Sequence, residues 1–439
     1  MKRGQIRMTE LGKEETATGA KSVTQQLHLR LRMHSPVFIC IVAFLLRILA
    51  IGMVQTRPMD GASPLWKSGL EIVNIASSIA SHKGFSSPFG IESGPTAWIP
   101  PVYPALVAAI FTLLGSRSDL AAITILAMQA LFSALTCIPL YAIARRVFDE
   151  NSAAVAAWGW AFFPYELLIP ELFVWETSLS ALLLVLACYF SIDLSQNDRR
   201  KPVLAGIAWG IAALTNTALI SVMPVFLSLP HFFKRRARFP YKTIATVMLV
   251  SALLVCPWIL RNWHALGAMV PVRSNFGEEL WVGNHEGGFG RIVSGLGPAD
   301  NDAERERYRT MGELSYVTQR RRQAIHFISA NPAPFCRRVL YRFRYWWFAE
   351  GEHAAAFTFY RLLTLLSFAG VVLALPKSKD PLVLAILASI VIYPLVYYVT
   401  DVYPRYRYPL EPFLMLFAGF AISRLFALRK RKIGTAFVS

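Results

Sequence analysis

The sequence predicts an all-α protein that crosses the membrane many times, with about ten transmembrane helices. Of the 439 residues, 55% are hydrophobic and only 16% are charged, and the mean hydropathy is +0.43. Soluble proteins average roughly 25% charged residues, so a water-exposed surface of normal size could not be covered. Apolar runs recur across most of the chain, which excludes the collagen, coiled-coil and disordered classes and favours one continuous membrane domain.

The predicted spans follow from runs of about 20 apolar residues, the length that crosses a ~30 Å hydrocarbon core. The first run, Val37–Gln55, follows a basic segment and lacks a small-residue cleavage site, so it predicts an uncleaved anchor. Val203–Leu229 predicts two short helices that turn near Asn216. The other predicted spans are Leu120–Ala144, Ala153–Pro170, Trp175–Leu194, Thr243–Leu260, Phe357–Leu375, Pro381–Val399 and Leu410–Leu428.

Charge decides how many spans there are. Val102–Gly115 is apolar but short, and counting it as a span would place most basic clusters outside, against the positive-inside rule. We therefore expect an interfacial or re-entrant helix there. With ten spans the basic clusters face the cytoplasm, which predicts a multi-pass protein of a bacterial plasma membrane with both termini cytoplasmic.

This topology divides the chain into a cytoplasmic segment (1–36), a membrane domain (37–428) and a cytoplasmic tail (429–439). Two large loops, 56–119 and 261–353, lie on the outer face. The second loop predicts an amphipathic helix over Asn301–Ala330 and another over Pro334–Phe348. Because the latter is rich in arginine and aromatic residues, we expect it at the membrane surface.

Composition and motifs exclude several functions. The net charge of +18 would fit a nucleic-acid partner, but the basic residues lie in loops between spans. Four of the five cysteines lie in apolar runs and none forms a CxxC pair, so no disulfide framework is predicted. HExxH, P-loop and GxSxG motifs are absent from the sequence.

Ionisable residues near a membrane are functional candidates because their burial is costly. Glu71 lies in Leu65–Ser81, which has helical periodicity and places this carboxylate beside an apolar face. Partial burial would raise its pKa and make it a candidate base. The alternative is a solvated carboxylate on an interfacial helix.

Two arginines precede the last span. Arg405 and Arg407 alternate with tyrosines in a proline-bounded segment, and an extended backbone would place both guanidiniums on one face. Two such groups side by side suit a phosphate. Contact with lipid headgroups is the alternative. Arg261 and Arg273 flank the start of the second outer loop and could hold the same anion, or each could be structural.

Asp300-Asn301-Asp302 matches the DxD motif of metal-binding nucleotide-sugar enzymes. However, Asn301 followed by Glu304 is also a capping pattern, and no strand-rich nucleotide fold precedes it. We therefore expect no metal site and no cofactor, and a divalent metal is the minor alternative.

Six segments resemble the family-39-like glycosyltransferases of the GT-C superfamily. Relatives in this family include protein O-mannosyltransferases and the aminoarabinose transferase that acts on lipid A. The segments are residues 69–76 (GLEIVNIA), 82–85 (HKGF), 94–104 (GPTAWIPPVYP), 257–262 (PWILRN), 270–284 (VPVRSNFGEELWVGN) and 405–412 (RYRYPLEP).

The resemblance implies a GT-C-like helical bundle that transfers a sugar from a polyprenyl-phosphate carrier to an acceptor hydroxyl outside the membrane. It implies an acidic base in the first outer loop, either Glu71 or Asp60, and a second carboxylate, either Glu171 or Glu176. Basic residues would hold the donor phosphate: Arg261, Arg273, Arg405 and Arg407. Matching positions expected to bind substrate are Trp98, Tyr103, Asn284 and Glu411.

The expected partners are therefore a lipid-linked sugar, an acceptor lipid, protein or glycan, and the membrane itself. A secondary transporter is the main alternative, although no paired inverted halves are evident in the sequence. A lipid-linked glycan ligase or polymerase is the other alternative, since it would also use outer-face arginines.

Overall fold

The computed structural model describes residues 33–54, 64–66, 69–168, 173–192, 194, 200–232, 239–290, 295–353, 355–377 and 380–436. Most of these residues are helical, and they contain only one isolated β-bridge, between Ser86 and Pro95 in the first outer loop. The predicted all-α architecture is confirmed.

Nineteen α-helices are found in the described residues. In chain order they are α1 (Pro36–Val54), α2 (Leu70–Ala80), α3 (Val102–Leu114), α4 (Asp119–Leu135), α5 (Cys137–Val147), α6 (Glu150–Phe162), α7 (Pro164–Leu168), α8 (Thr177–Ser191), α9 (Arg200–Ala213), α10 (Met223–Phe232), α11 (Tyr241–Leu266), α12 (Phe276–Gly283), α13 (Asp302–Met311), α14 (Glu313–Ala330), α15 (Pro332–Phe348), α16 (Ala355–Ala374), α17 (Pro381–Ile392), α18 (Leu395–Val399) and α19 (Glu411–Ala436). Short 3₁₀ helices at Pro64–Trp66, Thr217–Val222, Leu375–Lys377 and Pro404–Leu410 link some of them.

Six helical stretches of the described chain are long and apolar enough to cross a membrane, so the protein is an integral, multi-pass membrane protein. They are Pro36–Met53, Asp119–Val147, Tyr241–Leu266, Ala355–Ala374, Pro381–Val399 and Pro404–Arg429. Helices at other predicted spans are shorter, and the count of ten remains a prediction.

Two sequence predictions about helix breaks have different outcomes. The turn near Asn216 is confirmed, because the Asn216 side chain accepts a hydrogen bond from the Ala218 amide (3.1 Å) and begins a 3₁₀ helix. The single helix predicted over Asn301–Ala330 is wrong. Gly312 has a φ of 74°, which ends one helix and allows a second to start in a new direction.

The last helix, α19, runs through the centre of the bundle. Every residue from Leu410 to Ala421 is buried. Glycines permit its close approach to neighbouring helices, since a Cβ on Gly370 of α16 would lie 2.0 Å from the Phe417 carbonyl oxygen. Because α19 follows the Pro404–Leu410 turn directly, its packing also holds that turn in place.

Arg47, the one charge that the sequence places deep in a span, is fully buried where α1, α4 and α6 meet. Its guanidinium donates to Ser133 Oγ (3.0 Å) and to the carbonyls of Ala43, Trp160 and Ala161. These bonds satisfy the donors that burial removes from water and fasten the three helices together.

The two loops predicted to lie on the outer face, which we continue to call the outer loops, are joined through Glu313, at the start of α14. Its carboxylate accepts hydrogen bonds from Thr96 Oγ1, from the Ala97 amide (2.8 Å), from Ser274 Oγ (2.7 Å) and from Tyr308 Oη (2.6 Å). Four donors from three separate segments thus meet at one buried carboxylate.

The close approach of α16 to α19 predicts that Gly370→Ala lowers stability by about 1–3 kcal/mol through overpacking. Gly52→Ala in α1 is the matched control, because nothing lies within 4 Å of the added Cβ. Thermal unfolding in detergent measures the difference. Equal melting temperatures for the two variants would contradict the packing described here.

Candidate active site

A cavity of about 1000 Å³ lies where the outer loops meet the bundle. Its walls come from α2, the start of α3, the segment before α8, α12, the loop before α13, α18 and the Pro404–Leu410 turn. The charged residues that line it are Glu71, Glu176, Arg273, Glu278, Glu279, Asp300, Asp401 and Arg405. Aromatic residues in the lining include Trp98, Tyr103, Trp175, Tyr393, Tyr397, Tyr403 and Tyr406.

Glu71 lies in the first turn of α2, and Gly69 determines where that turn sits. Gly69 has a φ of 85°, and a Cβ at this position would lie 2.2 Å from the Val174 carbonyl oxygen. Only glycine allows this approach. Burial raises the pKa of Glu71, while the positive charge of Arg405 opposes part of that increase.

Arg405 enters the cavity from the Pro404–Leu410 turn. Its guanidinium carbon lies 4.3 Å from the centre of the Trp175 ring and within 5.6 Å of Tyr403 and Tyr406. In the described part of the chain, no carboxylate lies within salt-bridge distance of it. Aromatic faces orient a guanidinium without neutralising it, so its charge remains available to a ligand.

Arg407 does not share this position. The expected extended backbone is wrong, because Pro404–Leu410 is a 3₁₀ helix and residues two apart on it point to different sides. Arg407 is fully buried, pairs with Glu411 at 2.9 Å and donates to Thr364 Oγ1 at 2.7 Å. Arg407 and Glu411 therefore neutralise each other in the core, and neither belongs to the cavity lining among the described residues.

Two further candidates serve the loops that surround the cavity. Arg261 donates to the carbonyls of Thr96 and Phe85, each at 2.6 Å. Asn284 is buried and donates to the Leu280 and Val399 carbonyls at 2.9 and 2.8 Å. Within the described residues neither side chain lines the cavity. Their hydrogen bonds to backbone carbonyls instead hold the surrounding segments in place.

Trp98 and Tyr103, which were predicted to bind substrate, line the cavity, and so do Glu176, a catalytic candidate, and Arg273, a phosphate-binding candidate. Asp60 and Glu171 fall outside the described residues. The structure thus brings together Glu71, Glu176, Arg273 and Arg405, which come from four distant parts of the sequence.

Three acidic residues of the cavity were not predicted from the sequence. Glu279 accepts from Asn275 Nδ2 (2.9 Å) and lies 3.5 Å from Arg273. Burial raises the pKa of Asp401 well above its usual range, and nearby Glu279 adds to this. Burial also raises the pKa of Glu278 to about 8, despite Arg320 at 3.3 Å. The sequence features that could have indicated them are the 270–284 segment, which contains Glu278 and Glu279, and the proximity of Asp401 to Arg405 along the chain.

The two aspartates of the DxD motif have partners other than a metal ion in this structure. Asp300 Oδ2 accepts from the Gly295 amide (2.6 Å), and Asp302 pairs with Arg305 (2.8 Å). Asn301 caps α13 by accepting from the Glu304 amide at 3.2 Å, which confirms the capping interpretation. No group of three or more candidate metal ligands occurs in the part of the chain that the structure describes.

Part of the chain matches the model of a known protein family. Residues 99–260 match the model of the dolichyl-phosphate-mannose-protein mannosyltransferase family. No curated protein matches the chain in sequence.

Solved structures share the fold. The oligosaccharyltransferase AglB from Archaeoglobus fulgidus, in complex with an inhibitory peptide and a dolichol-phosphate, is 16% identical with a TM-score of 0.58, and the match covers 91% of this chain and 52% of that one. ArnT from Cupriavidus metallidurans in the apo state is 16% identical with a TM-score of 0.53, covering 92% and 62%. ArnT bound to undecaprenyl phosphate gives 0.50 at 16% identity, covering 92% and 63%.

The chain therefore has the fold of the GT-C membrane glycosyltransferases, and the resemblance expected from its sequence is confirmed. It spans about half the length of the archaeal oligosaccharyltransferase and less than two thirds of ArnT.

The different surroundings of the two arginines predict different effects on stability. Arg407→Gln should destabilise the protein by about 3–5 kcal/mol, because it leaves Glu411 buried without its partner. Arg405→Gln should cost less, about 1 kcal/mol, since Arg405 has no carboxylate within salt-bridge distance in the described part of the chain and loses aromatic contacts and a longer-range attraction to Glu71. Comparable losses in thermal unfolding would show that Arg405 also belongs to the structural core.

Proposed function

We propose that this protein transfers a sugar from a polyprenyl-phosphate carrier to an acceptor hydroxyl at the outer face of a membrane. The observation that carries the proposal is the shared cavity, in which Glu71 and Arg405 lie close enough for their charges to interact. An acid and a guanidinium around one cavity suit a reaction that removes a proton and releases a phosphate.

The chemistry follows from these positions. The acceptor oxygen forms a bond to the anomeric carbon while the bond from that carbon to the phosphate oxygen breaks, so the configuration inverts. Glu71 accepts the hydroxyl proton. Arg405 and Arg273 stabilise the charge that develops on the departing phosphate. The donor is already activated, so this transfer requires neither ATP nor a nucleotide.

The matched family and the solved neighbours support a lipid-linked donor. The family is described as using dolichyl-phosphate-mannose, and the neighbours were solved with dolichol-phosphate and undecaprenyl phosphate. We place the cavity on the non-cytoplasmic side of a bacterial plasma membrane, since the basic clusters between predicted spans would then face the cytoplasm. Residues 37–428 would form the catalytic domain.

Mass spectrometry of envelope glycans and lipids from cells with and without the protein tests the function directly. We expect the deletion to remove one sugar decoration, which would identify donor sugar and acceptor together. An unchanged set of glycoconjugates across several growth conditions would overturn the proposal and favour a transporter.

Glu71→Gln should lower transfer by at least ~10²-fold, because an amide cannot accept the proton. Glu92→Gln is the control, since Glu92 is an exposed outer-face carboxylate that pairs with Lys83. Both variants are scored by restoration of the missing decoration in deletion cells, with equal membrane levels checked by immunoblot. Near-normal restoration by Glu71→Gln would assign the base elsewhere.

The rate should also fall as the pH is lowered through the raised pKa of Glu71, because the base acts only when ionised. Arg405 lowers this pKa, so Arg405→Gln should move the acid limb of kcat to higher pH at saturating donor. A pH–rate profile of both proteins measures the shift. Superimposable acid limbs would contradict an interaction between the two charges.

A further inference from the structure

Asp401 is a buried carboxyl group that borders the cavity. It is 1% exposed, and its Oδ2 atom has no hydrogen-bond partner among the described residues. A carboxylate in such a position would lose its hydration without replacement, which is costly unless the group holds a proton. Asp401 therefore requires an explanation beyond that of an ordinary buried side chain.

The surroundings of Asp401 bring opposing charges to the same wall. Glu279 of α12 is its neighbour, and a proton on one of the two carboxyl groups would let them form a hydrogen bond. Arg273 pairs with Glu279, and Arg405 approaches Asp401 from the Pro404–Leu410 turn. Each of the two carboxyl groups thus has one of the cavity's two arginines as a neighbour.

Other titratable groups that face this pair come from the packed elements around it. Arg342 of α15 interacts with Asp401, but it donates to the carbonyls of Gly290, Tyr398 and Val399 and is held behind the cavity wall. Tyr406 lies beside both carboxyl groups, and Glu71 and Tyr397 lie near Glu279. Glu278 is the neighbour of Glu279 in sequence and also borders the cavity.

Charge counting shows what a proton on this pair would do. Arg273 and Arg405 carry two positive charges, and two ionised carboxylates would cancel both of them. A pair that holds one proton carries one negative charge, so the pair itself leaves one of the two positive charges uncancelled for an anion. Like charges at hydrogen-bonding distance also disfavour double ionisation, so the same geometry favours the singly protonated pair.

We propose that Asp401 is a neutral member of the carrier-phosphate site, and that its proton, shared with Glu279, keeps Arg273 and Arg405 available to bind the phosphate. This inference rests on the proposed function, because it assumes that the anion bound by these arginines is the phosphate of a lipid carrier. It adds a binding residue that the sequence motifs do not single out. It also makes phosphate binding depend on pH with a defined sign.

The direction of the pH dependence follows because the form with a protonated Asp401 binds the phosphate more tightly. We expect the proton to be present at neutral pH and to be lost as the pH rises, because burial and the neighbouring Glu279 raise the pKa of Asp401. Loss of the proton weakens phosphate binding. Above about pH 7 a phosphate monoester is already dianionic, since its second pKa is about 6, and its own titration does not obscure the change.

Binding of undecaprenyl phosphate without sugar, measured in detergent micelles on the full chain, tests the inference. In the parent protein the dissociation constant should rise by about tenfold or more from near pH 7 to near pH 10, as one favourable charge interaction is lost. Asp401→Asn should bind at neutral pH within about threefold of the parent and show little dependence on pH over the same range, because asparagine mimics the neutral acid.

Two further variants separate the explanations. Glu279→Gln should also remove the alkaline weakening, since the pair can then carry only one negative charge, and it serves if Asp401→Asn does not fold. Glu278→Gln is the matched control, because the pKa of Glu278 is about 8 and lies in the tested range. The alkaline weakening should persist in Glu278→Gln.

The outcomes have distinct meanings. Alkaline weakening that persists in Asp401→Asn and Glu279→Gln but vanishes in Glu278→Gln would overturn the inference and assign the effect to Glu278. Binding by Asp401→Asn that is weak at every pH would show that the negative charge is required, which also overturns it. A parent protein that binds no carrier phosphate at any pH would instead overturn the proposed donor site itself.

Discussion

The cavity depends on the attachment of the first outer loop to the second, and this attachment is made at Thr96 and Ala97. Glu313 accepts hydrogen bonds from both residues, and Arg261, at the end of α11, donates to the Thr96 carbonyl. The next residues, Trp98 to Pro100, form part of the cavity wall. The charged groups here have several polar partners each, so the described parts of the two loops can be held together without a β-sheet between them.

Four arginines that are wholly or partly buried have two kinds of surroundings. Arg47, Arg261 and Arg407 direct their donors to backbone carbonyls, hydroxyls or a paired carboxylate. Arg405 instead lies over Trp175, and aromatic contact leaves its charge uncancelled. This difference separates arginines that hold the fold together from one that can serve a ligand, although all four lie at or near apolar segments of the sequence.

Much of the fold could be predicted because the bilayer imposes a simple rule on sequence. Long apolar stretches such as Pro36–Met53 and Tyr241–Leu266 have to be helical, since only a helix satisfies its own backbone in lipid. The break at Gly312 and the 3₁₀ turn at Pro404–Leu410 escaped prediction because both depend on local backbone geometry. The 3₁₀ turn changes the interpretation of Arg407, because Arg405 and Arg407 cannot point to the same side of a 3₁₀ helix.

The sequence by itself determined the membrane class, the helical architecture and the family resemblance. Composition, the length of apolar runs and short motifs can be seen directly in the sequence without knowing which segments are in contact. It also identified Glu71 and Arg405 as candidates. Only the tertiary structure decided that Glu279 and Asp401 join them while Arg407 and Glu411 pair in the core. A carboxylate's environment depends on which distant segments surround it, and neither spacing nor composition encodes that burial.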